Sequence, residues 1–276
     1  MSAPIARRVR VRGAVQGVGF RPFVYRVARE LSLRGWVRNG EEGVEIHLEG
    51  ERAAIERFLG ALEQPPPAAV VAAVEHEAVE PVGLERFEIE TSGGGERPTV
   101  RISPDLPVCA ACLDELFDPA DRRAGYPYVN CTDCGPRYSI VLGLPYDRPL
   151  TTMREWPLCA ACAAEYGDPS NRRFHAQPTA CPECGPTYLL VERGEERARG
   201  EPALDAAVSR LRAGEILAIK GIGGYHLACD ARRAGAVRAL RTRKVRREQP
   251  FALMVPDLAT ARELVALGPE AERLLQ

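Results

Sequence analysis

Four Cys-x-x-Cys pairs, Cys109/Cys112, Cys131/Cys134, Cys159/Cys162 and Cys181/Cys184, take up eight of the nine cysteines and dictate what residues 109–184 can become. Eighteen residues separate the first pair from the second and eighteen the third from the fourth, and the second half repeats the first at an offset of fifty. CAACLDELFDPADRR at Cys109 returns as CAACAAEYGDPSNRR at Cys159, and CTDCGPRY at Cys131 as CPECGPTY at Cys181. Two thiolates two residues apart turn back onto one metal ion, and a second such pair completes a tetrahedron. Four pairs therefore specify two closed, structural zinc sites. Disulfides or redox dithiols are the competing uses of these residues, but secreted disulfide scaffolds are far smaller than a chain of 276 residues. The repeat favours first pair with second and third with fourth; a nested arrangement, first with fourth and second with third, uses the same residues.

A chain of 276 residues fits two or three domains. Its 37 basic and 38 acidic residues leave no net field that would by itself recruit nucleic acid or a membrane. No apolar run approaches the roughly 18 residues of a membrane span, and MSAPIARRVRVRG lacks the apolar stretch of a signal peptide. Thiols that must stay reduced to hold metal place the chain in the cytoplasm. Only two of the basic residues are lysines, Lys220 and Lys244, and both fall in the last third.

Upstream of the cysteines, Arg8, Arg10 and Arg12 alternate with Val9 and Val11 as in a half-buried strand. A glycine-rich turn follows, then Pro22 and the helical spacing of Phe23, Val27 and Leu31. A second strand ends in Asn39-Gly40 and a third carries Val44, Ile46 and Leu48 on one face, which predicts that His47 points to solvent, as His76 does on a later strand. With a helix at residues 55–62 and strands near 70–80 and 86–89, the order βαββαβ predicts a ferredoxin-like two-layer domain over residues 1–91. A glycine-rich turn entering a helix suits a phosphate, and Arg21 stands where it can clamp an anion with both arms. Between Arg7 and Arg38 there are nine arginines and one glutamate.

GAVQGVGFR followed by GWVRNG resembles the acylphosphatase family in both of its active-site segments. The resemblance implies that the backbone of Gln16, Gly17, Val18, Gly19 and Phe20, with the Arg21 guanidinium, binds a phosphoryl group, and that Asn39 orients the attacking water. A Gly-rich linker over residues 92–108 leads to the cysteine module, residues 109–190. Arg122-Arg123 and Arg172-Arg173 lie among aromatics, a pattern open to nucleic-acid contact. In a small module without a core, the acidic residues nearby favour ion-pair packing instead. His175 has no vacant metal position to fill, because eight cysteines complete two sites.

Beyond residue 200, a helix ending at Gly214 precedes a buried strand, Ile216–Ile219, and the turn Lys220-Gly-Ile-Gly-Gly-Tyr-His226. A helix near 234–243, a strand at Phe251–Val255 and a helix capped by Asp257 complete an α/β pattern. A glycine turn with convergent cations suits a nucleotide triphosphate, although the P-loop spacing is absent. Cys229 reads as a small core residue. The segment resembles the start of a YrdC-like domain. That resemblance makes Lys220, Arg243, Lys244 and Arg246 nucleotide contacts with Tyr225 and His226 lining the site, while Gln249 stands where the family has Lys.

An acylphosphatase-like segment joined to duplicated Cys-x2-Cys-x18-Cys-x2-Cys, with RRFHAQP, CGPRYS and PYDRP, resembles the HypF carbamoyltransferases of nickel–iron hydrogenase maturation. The expected fold class is α+β multidomain: a ferredoxin-like acylphosphatase domain, a double zinc module with four cysteines per site and, over residues 200–276, an incomplete α/β YrdC-like domain. The resemblance implies three steps: hydrolysis of carbamoyl phosphate, adenylation of the carbamate with ATP and Mg, and transfer to the C-terminal cysteine of a HypE-type partner. Because the C-terminal transfer domain of the family is missing, the expectation is a truncated chain that keeps only the acylphosphatase step. The competing readings are a non-catalytic zinc module that binds protein or RNA, and threonylcarbamoyl-AMP synthesis for tRNA modification, which has no use for an acylphosphatase domain.

Overall fold

The computed structural model describes residues 4–92, 102–246 and 248–275; most of the expected linker and Arg247 lie outside the described residues. Two compact units result, Met1–Thr187 and Tyr188–Gln276.

The first unit begins with β1 (Ile5–Ala14), α1 (Phe20–Glu30), β2 (Arg34–Asn39), β3 (Gly43–Gly50), α2 (Arg52–Ala61), β4 (Val70–Val79) and β5 (Phe87–Ile89). The strands form one sheet in the order β4-β1-β3-β2-β5. All pairings are antiparallel except β2 with β5. This is the ferredoxin-like arrangement with one added edge strand, as the βαββαβ order predicts. The period-2 pattern of β1 is realised: Val9 and Val11 are buried while Arg8, Arg10 and Arg12 face water. One apolar core joins Val9, Val11, Ile46 and Leu48 of the sheet to Val24 and Ala28 of α1 and Ile55 and Phe58 of α2.

The second sheet face departs from the expectation at His47, which is buried rather than solvated. Trp36 lies directly across from it on β2 and stacks on its ring, with centroids 6.0 Å apart. Its Nε2 lies 2.9 Å from Glu49 Oε1. The Glu49 carboxylate also accepts from the amides of Val82, Gly83 and Leu84. The covering layer comes from β2 and the 82–84 turn, so alternation within β3 alone could not reveal it. Burial by itself would raise the Glu49 carboxyl, but the hydrogen bonds from His47 and the three amides bring it below the ordinary carboxylate value. A lowered folded-state pKa gives stability that is present above the unfolded value and lost as pH falls through the folded one. Glu49→Gln should therefore lower the urea midpoint at pH 7, by about 1–3 kcal/mol of stability, and the gap should narrow on acidification through the carboxylate range.

Residues 102–187 pack on this layer. Ile102 bridges to Gln16, and the two cysteine repeats each contribute one short helix, α3 (Ala110–Phe117) and α4 (Ala160–Gly167).

The second unit contains β6 (Leu189–Glu192), β7 (Glu195–Arg199), α5 (Glu201–Ala213), β8 (Leu217–Gly221), β9 (Gly224–Ala228), α6 (Ala234–Arg243), α7 (Leu258–Leu264) and α8 (Pro269–Leu275). Gly214 ends α5 in the left-handed conformation, and the Asp257 side chain caps α7 at Thr260 N. Two expectations fail here. The strand at 216–219 is one arm of the β8–β9 hairpin, with Ile219 exposed rather than buried, and residues 251–255 form no strand. Apolar runs this short carry no information on which element will cover them.

Candidate active site and metal centres

Each Cys-x-x-Cys pair opens a helix or closes a turn. Cys109 and Cys159 are the N-caps of α3 and α4, and Cys112 and Cys162 lie in the first helical turns. Thiolates thus sit at the positive ends of the two helices. The four Sγ atoms of Cys109, Cys112, Cys131 and Cys134 lie within 4.8 Å of one another, and so do those of Cys159, Cys162, Cys181 and Cys184. First pairs with second and third with fourth; the nested alternative is not the one adopted. The separations are 3.6 Å for Cys109–Cys131, 3.9 Å for Cys131–Cys134, and 3.7 Å for both Cys159–Cys181 and Cys181–Cys184. A tetrahedron with Zn–S bonds of about 2.3 Å has edges of about 3.8 Å. The two sets fit Zn2+, and the separations are far too long for disulfide bonds.

The two repeats grip each other through their arginine pairs. Arg172 of the second repeat donates to Cys112 Sγ at 2.8 Å and pairs with Glu115 of the first. Arg122 of the first donates to Cys162 Sγ at 3.2 Å and to Glu165 of the second at 2.6 Å. Arg173 and Arg123 are buried. Each pairs with the same glutamate as its neighbour and donates Nε–H to a backbone carbonyl of the opposite repeat, Asn130 O and Ala180 O. Burial raises the Glu115 carboxyl, but hydrogen bonds from Arg173 and Arg172 outweigh it and hold it at about 2. Glu165 is lowered by Arg123 and Arg122 in the same way. These four arginines are used in packing between the repeats, as the ion-pair reading expects.

The glycine-rich loop joins β1 to α1. Gly17 and Gly19 have φ of 75° and 73°, which favours glycine. A Cβ on Gly17 would stand 2.8 Å from the ring of Tyr146. Val18 and Phe20 are buried, and Gln16 turns inward to donate from Nε2 to Gly40 O and Gly43 O at 3.0 and 2.8 Å. The carboxamide thereby ties the loop to the turn after Asn39. Asn39 is fully buried; its Nδ2 reaches Tyr146 O at 3.5 Å, and its Oδ1 has no protein partner. Arg21, in the first turn of α1, donates from Nη2 to Asp147 Oδ1 at 2.7 Å and from Nη1 to Ser92 Oγ at 3.4 Å. Gln16, Val18, Gly19, Phe20, Arg21 and Asn39 are thus all buried and Gly17 is half-buried, with Asn39 reached by Tyr146 O and Arg21 by the adjacent Asp147.

Sequence reasoning missed what covers that group. The segment 144–149 lies between the repeats and docks on the loop. Tyr146 is fully buried, and its amide donates to Gln16 Oε1 at 3.0 Å. Burial pushes its phenol up to about 12. Arg148 rivets the segment to the second repeat, donating to Gln177 O and Thr179 O at 2.8 Å and to Trp156 O at 2.6 Å. His175, at φ 53°, packs against Tyr166 and Phe174 and lines the cleft beside Gly17, Gly19 and Arg21. Burial, aided by the Arg21 charge, lowers its pKa to about 4 and keeps the ring neutral at pH 7. One signal was available: residues 145–149 (PYDRP) have no counterpart fifty positions on, so the repeat does not account for them.

In the second unit Lys220 and Tyr225 face each other across the hairpin, with Nζ 5.2 Å from the ring centre. His226 is the next residue on β9 and therefore projects from the opposite face, over Gly221. Arg243 ends α6, Lys244 is its C-cap, and Arg246 lies 5.6 Å over the Phe251 ring. Among the described residues no hydrogen bond or ring contact joins this cationic group to Lys220.

Three family models match the chain: acylphosphatase over residues 7–89, the HypF finger over residues 108–141 and 158–191, and the telomere recombination (Sua5/YciO/YrdC) family over residues 209–276. "Carbamoyltransferase HypF2" of Cupriavidus necator is 52% identical over 276 residues, covering 97% of this chain and 34% of its own length. An acylphosphatase of Syntrophotalea carbinolica is 52% identical over 89 residues, 31% of this chain and 96% of that protein. A crystal structure of full-length HypF in the phosphate- and nucleotide-bound form is similar with a TM-score of 0.88 and 42% identity, over 100% of this chain and 36% of that one. The chain spans about a third of the length of the curated HypF relatives it matches. Among the described residues no helix is long and apolar enough to cross a membrane.

Proposed function

The chain belongs to the HypF family, and from that premise we propose that its first unit hydrolyses carbamoyl phosphate to carbamate and phosphate. The observation that carries this reading is the buried group of Arg21 and Asn39 at the glycine loop, with Asn39 Oδ1 left without a protein partner. The amides of residues 16–20 and the Arg21 guanidinium hold the phosphoryl oxygens, where charge grows as the bridging bond loosens. Asn39 Oδ1 accepts a hydrogen bond from a water and aims its oxygen at phosphorus. That oxygen forms the new P–O bond, the bond from phosphorus to the carbamoyl oxygen breaks, and carbamate leaves with the electron pair. The spent water proton passes to the released phosphate. His175, neutral and taking no proton in this step, helps exclude water. Zinc in the two thiolate sets would cross-link the fingers and supply no chemistry to the hydrolysis.

For the whole protein we infer the later steps, adenylation of carbamate with ATP and Mg and transfer to the terminal cysteine of a HypE-type partner. Lys220, Tyr225, Arg243, Lys244 and Arg246 remain the nucleotide-binding candidates, and His226 joins them only if the nucleotide reaches both hairpin faces. The cytoplasm, which keeps eight thiols reduced, is the compartment this chemistry requires.

Phosphate release from carbamoyl phosphate by the 276-residue chain tests the reading. Asn39→Ala should slow it roughly a hundredfold, the cost of losing one positioning group, with little change in KM; unchanged kcat would remove Asn39 from the mechanism.

A further inference from the structure

The carboxylate of Asp147 stands where a phosphate-binding site has least use for one. It pairs with the Arg21 guanidinium at 2.7 Å, and its second oxygen accepts from the Ser92 hydroxyl. Asp147 is the more open of the two partners, with 19% of its side chain exposed against 8% for Arg21. An anion seated on Arg21 is repelled by this neighbour. Yet the residue is fixed from both sides, by Tyr146 buried on the glycine loop and by Arg148 held on two carbonyls of the second repeat and on Trp156 O. Such bracing at a cost in anion affinity points to a part of the substrate other than phosphate.

The phosphoryl half of the machinery lies wholly within the first ninety residues. The acylphosphatase of Syntrophotalea carbinolica matches over 89 residues, 96% of its own length, so it has no room for a counterpart of residues 144–149. What residues 102–187 add to the site must therefore act on the acyl end. The acyl groups differ there in one respect: carbamoyl phosphate carries an NH2 with two donors, whereas acetyl phosphate carries a methyl group with none. A carboxylate is an acceptor-only group, and it gains from the first while being desolvated without compensation by the second.

Resting on the reading of Arg21 as the phosphoryl clamp, we propose that Asp147 is a specificity-determining residue of this site, delivered by the metal-binding module to accept hydrogen bonds from the amino group of carbamoyl phosphate. Arg21 holds the phosphoryl end and, through its Nη2 contact at 2.7 Å, holds the Asp147 carboxylate beside it. The discrimination is against acyl phosphates whose acyl group offers no donor.

The test compares kcat/KM for carbamoyl phosphate and acetyl phosphate in the 276-residue chain and in its Asp147→Asn and Asp147→Ala variants, with Arg21→Ala alongside. Asp147→Asn preserves shape and guards against loss of folding. The expected result is a fall of at least tenfold for carbamoyl phosphate in both Asp147 variants, with acetyl phosphate changed less than threefold. An equal fall for both substrates would mean that Asp147 only orients Arg21, and would overturn the proposal. So would an equal rise accompanied by tighter binding of inorganic phosphate, the mark of a carboxylate that merely competes with the anion. Phosphate release that survives Arg21→Ala would instead remove the underlying reading, and the proposal with it; loss in Arg21→Ala with an unchanged substrate ratio in the Asp147 variants removes the proposal alone.

Discussion

Arg21→Ala is expected to slow phosphate release from carbamoyl phosphate roughly a thousandfold, the upper range for deleting one preorganised donor group from a transition state. The guanidinium is buried in the first turn of α1, beside the glycine loop. Its removal also leaves Asp147 without its cation, so part of the loss in the single variant comes from an unpaired carboxylate facing the phosphate. The double variant Arg21→Ala/Asp147→Ala, which removes that carboxylate together with its hydrogen bonds to the amino group, should likewise remain at least a hundredfold below the unsubstituted chain. Circular dichroism of both variants establishes that the layer around Val9, Ile46 and Phe58 is intact. A single variant with more than a tenth of the original kcat would show that the loop amides suffice.

Stripping the metal is the second large effect. The fingers have small apolar clusters, one of them little more than Cys112, Val129, Cys131 and Cys134 themselves. Structural zinc contributes about 10–16 kcal/mol of folding energy in isolated fingers, far more than such clusters can. Exposure to a strong chelator at pH 7 under reducing conditions should therefore unfold residues 109–187 while the ferredoxin-like layer keeps its own core. Phosphate release should fall at least tenfold as well. Tyr146, which braces Gln16, and Asp147, which flanks Arg21, are held in place by Arg148 on the second finger. Zinc release followed with a colorimetric indicator, alongside phosphate assays, checks the coupling. Full activity in metal-free protein would show that the loop stands without its cover.

Much of this was legible in the sequence, and the reasons differ by region. Alternation in β1 and the glycine turn before α1 are local signals, so the layer and its glycine loop follow from them directly. The cysteine repeat fixed the ligands, while the choice between sequential and nested pairing needed the Sγ positions. His47 misled because its cover, Trp36 and the amides of residues 82–84, arrives from distant chain. The cover on the glycine loop was invisible for the same reason: Gln16 and Tyr146 are 130 residues apart and meet where the Tyr146 amide donates to the Gln16 side-chain carbonyl. In the hairpin the sequence groups Tyr225 with His226, but adjacent strand residues face opposite ways, and only Tyr225 joins Lys220.

The exchange of arginines between the two fingers has a history written into it. Arg172 reaches Cys112 as Arg122 reaches Cys162, and the two glutamates, Glu115 and Glu165, receive the opposite pairs. Residue i contacting j′ while j contacts i′ is the pattern of an isologous two-fold interface. Here both halves lie on one chain, fifty positions apart. A duplication that fused a self-associating finger would leave this imprint, and it would convert an assembly that depended on concentration into one that does not.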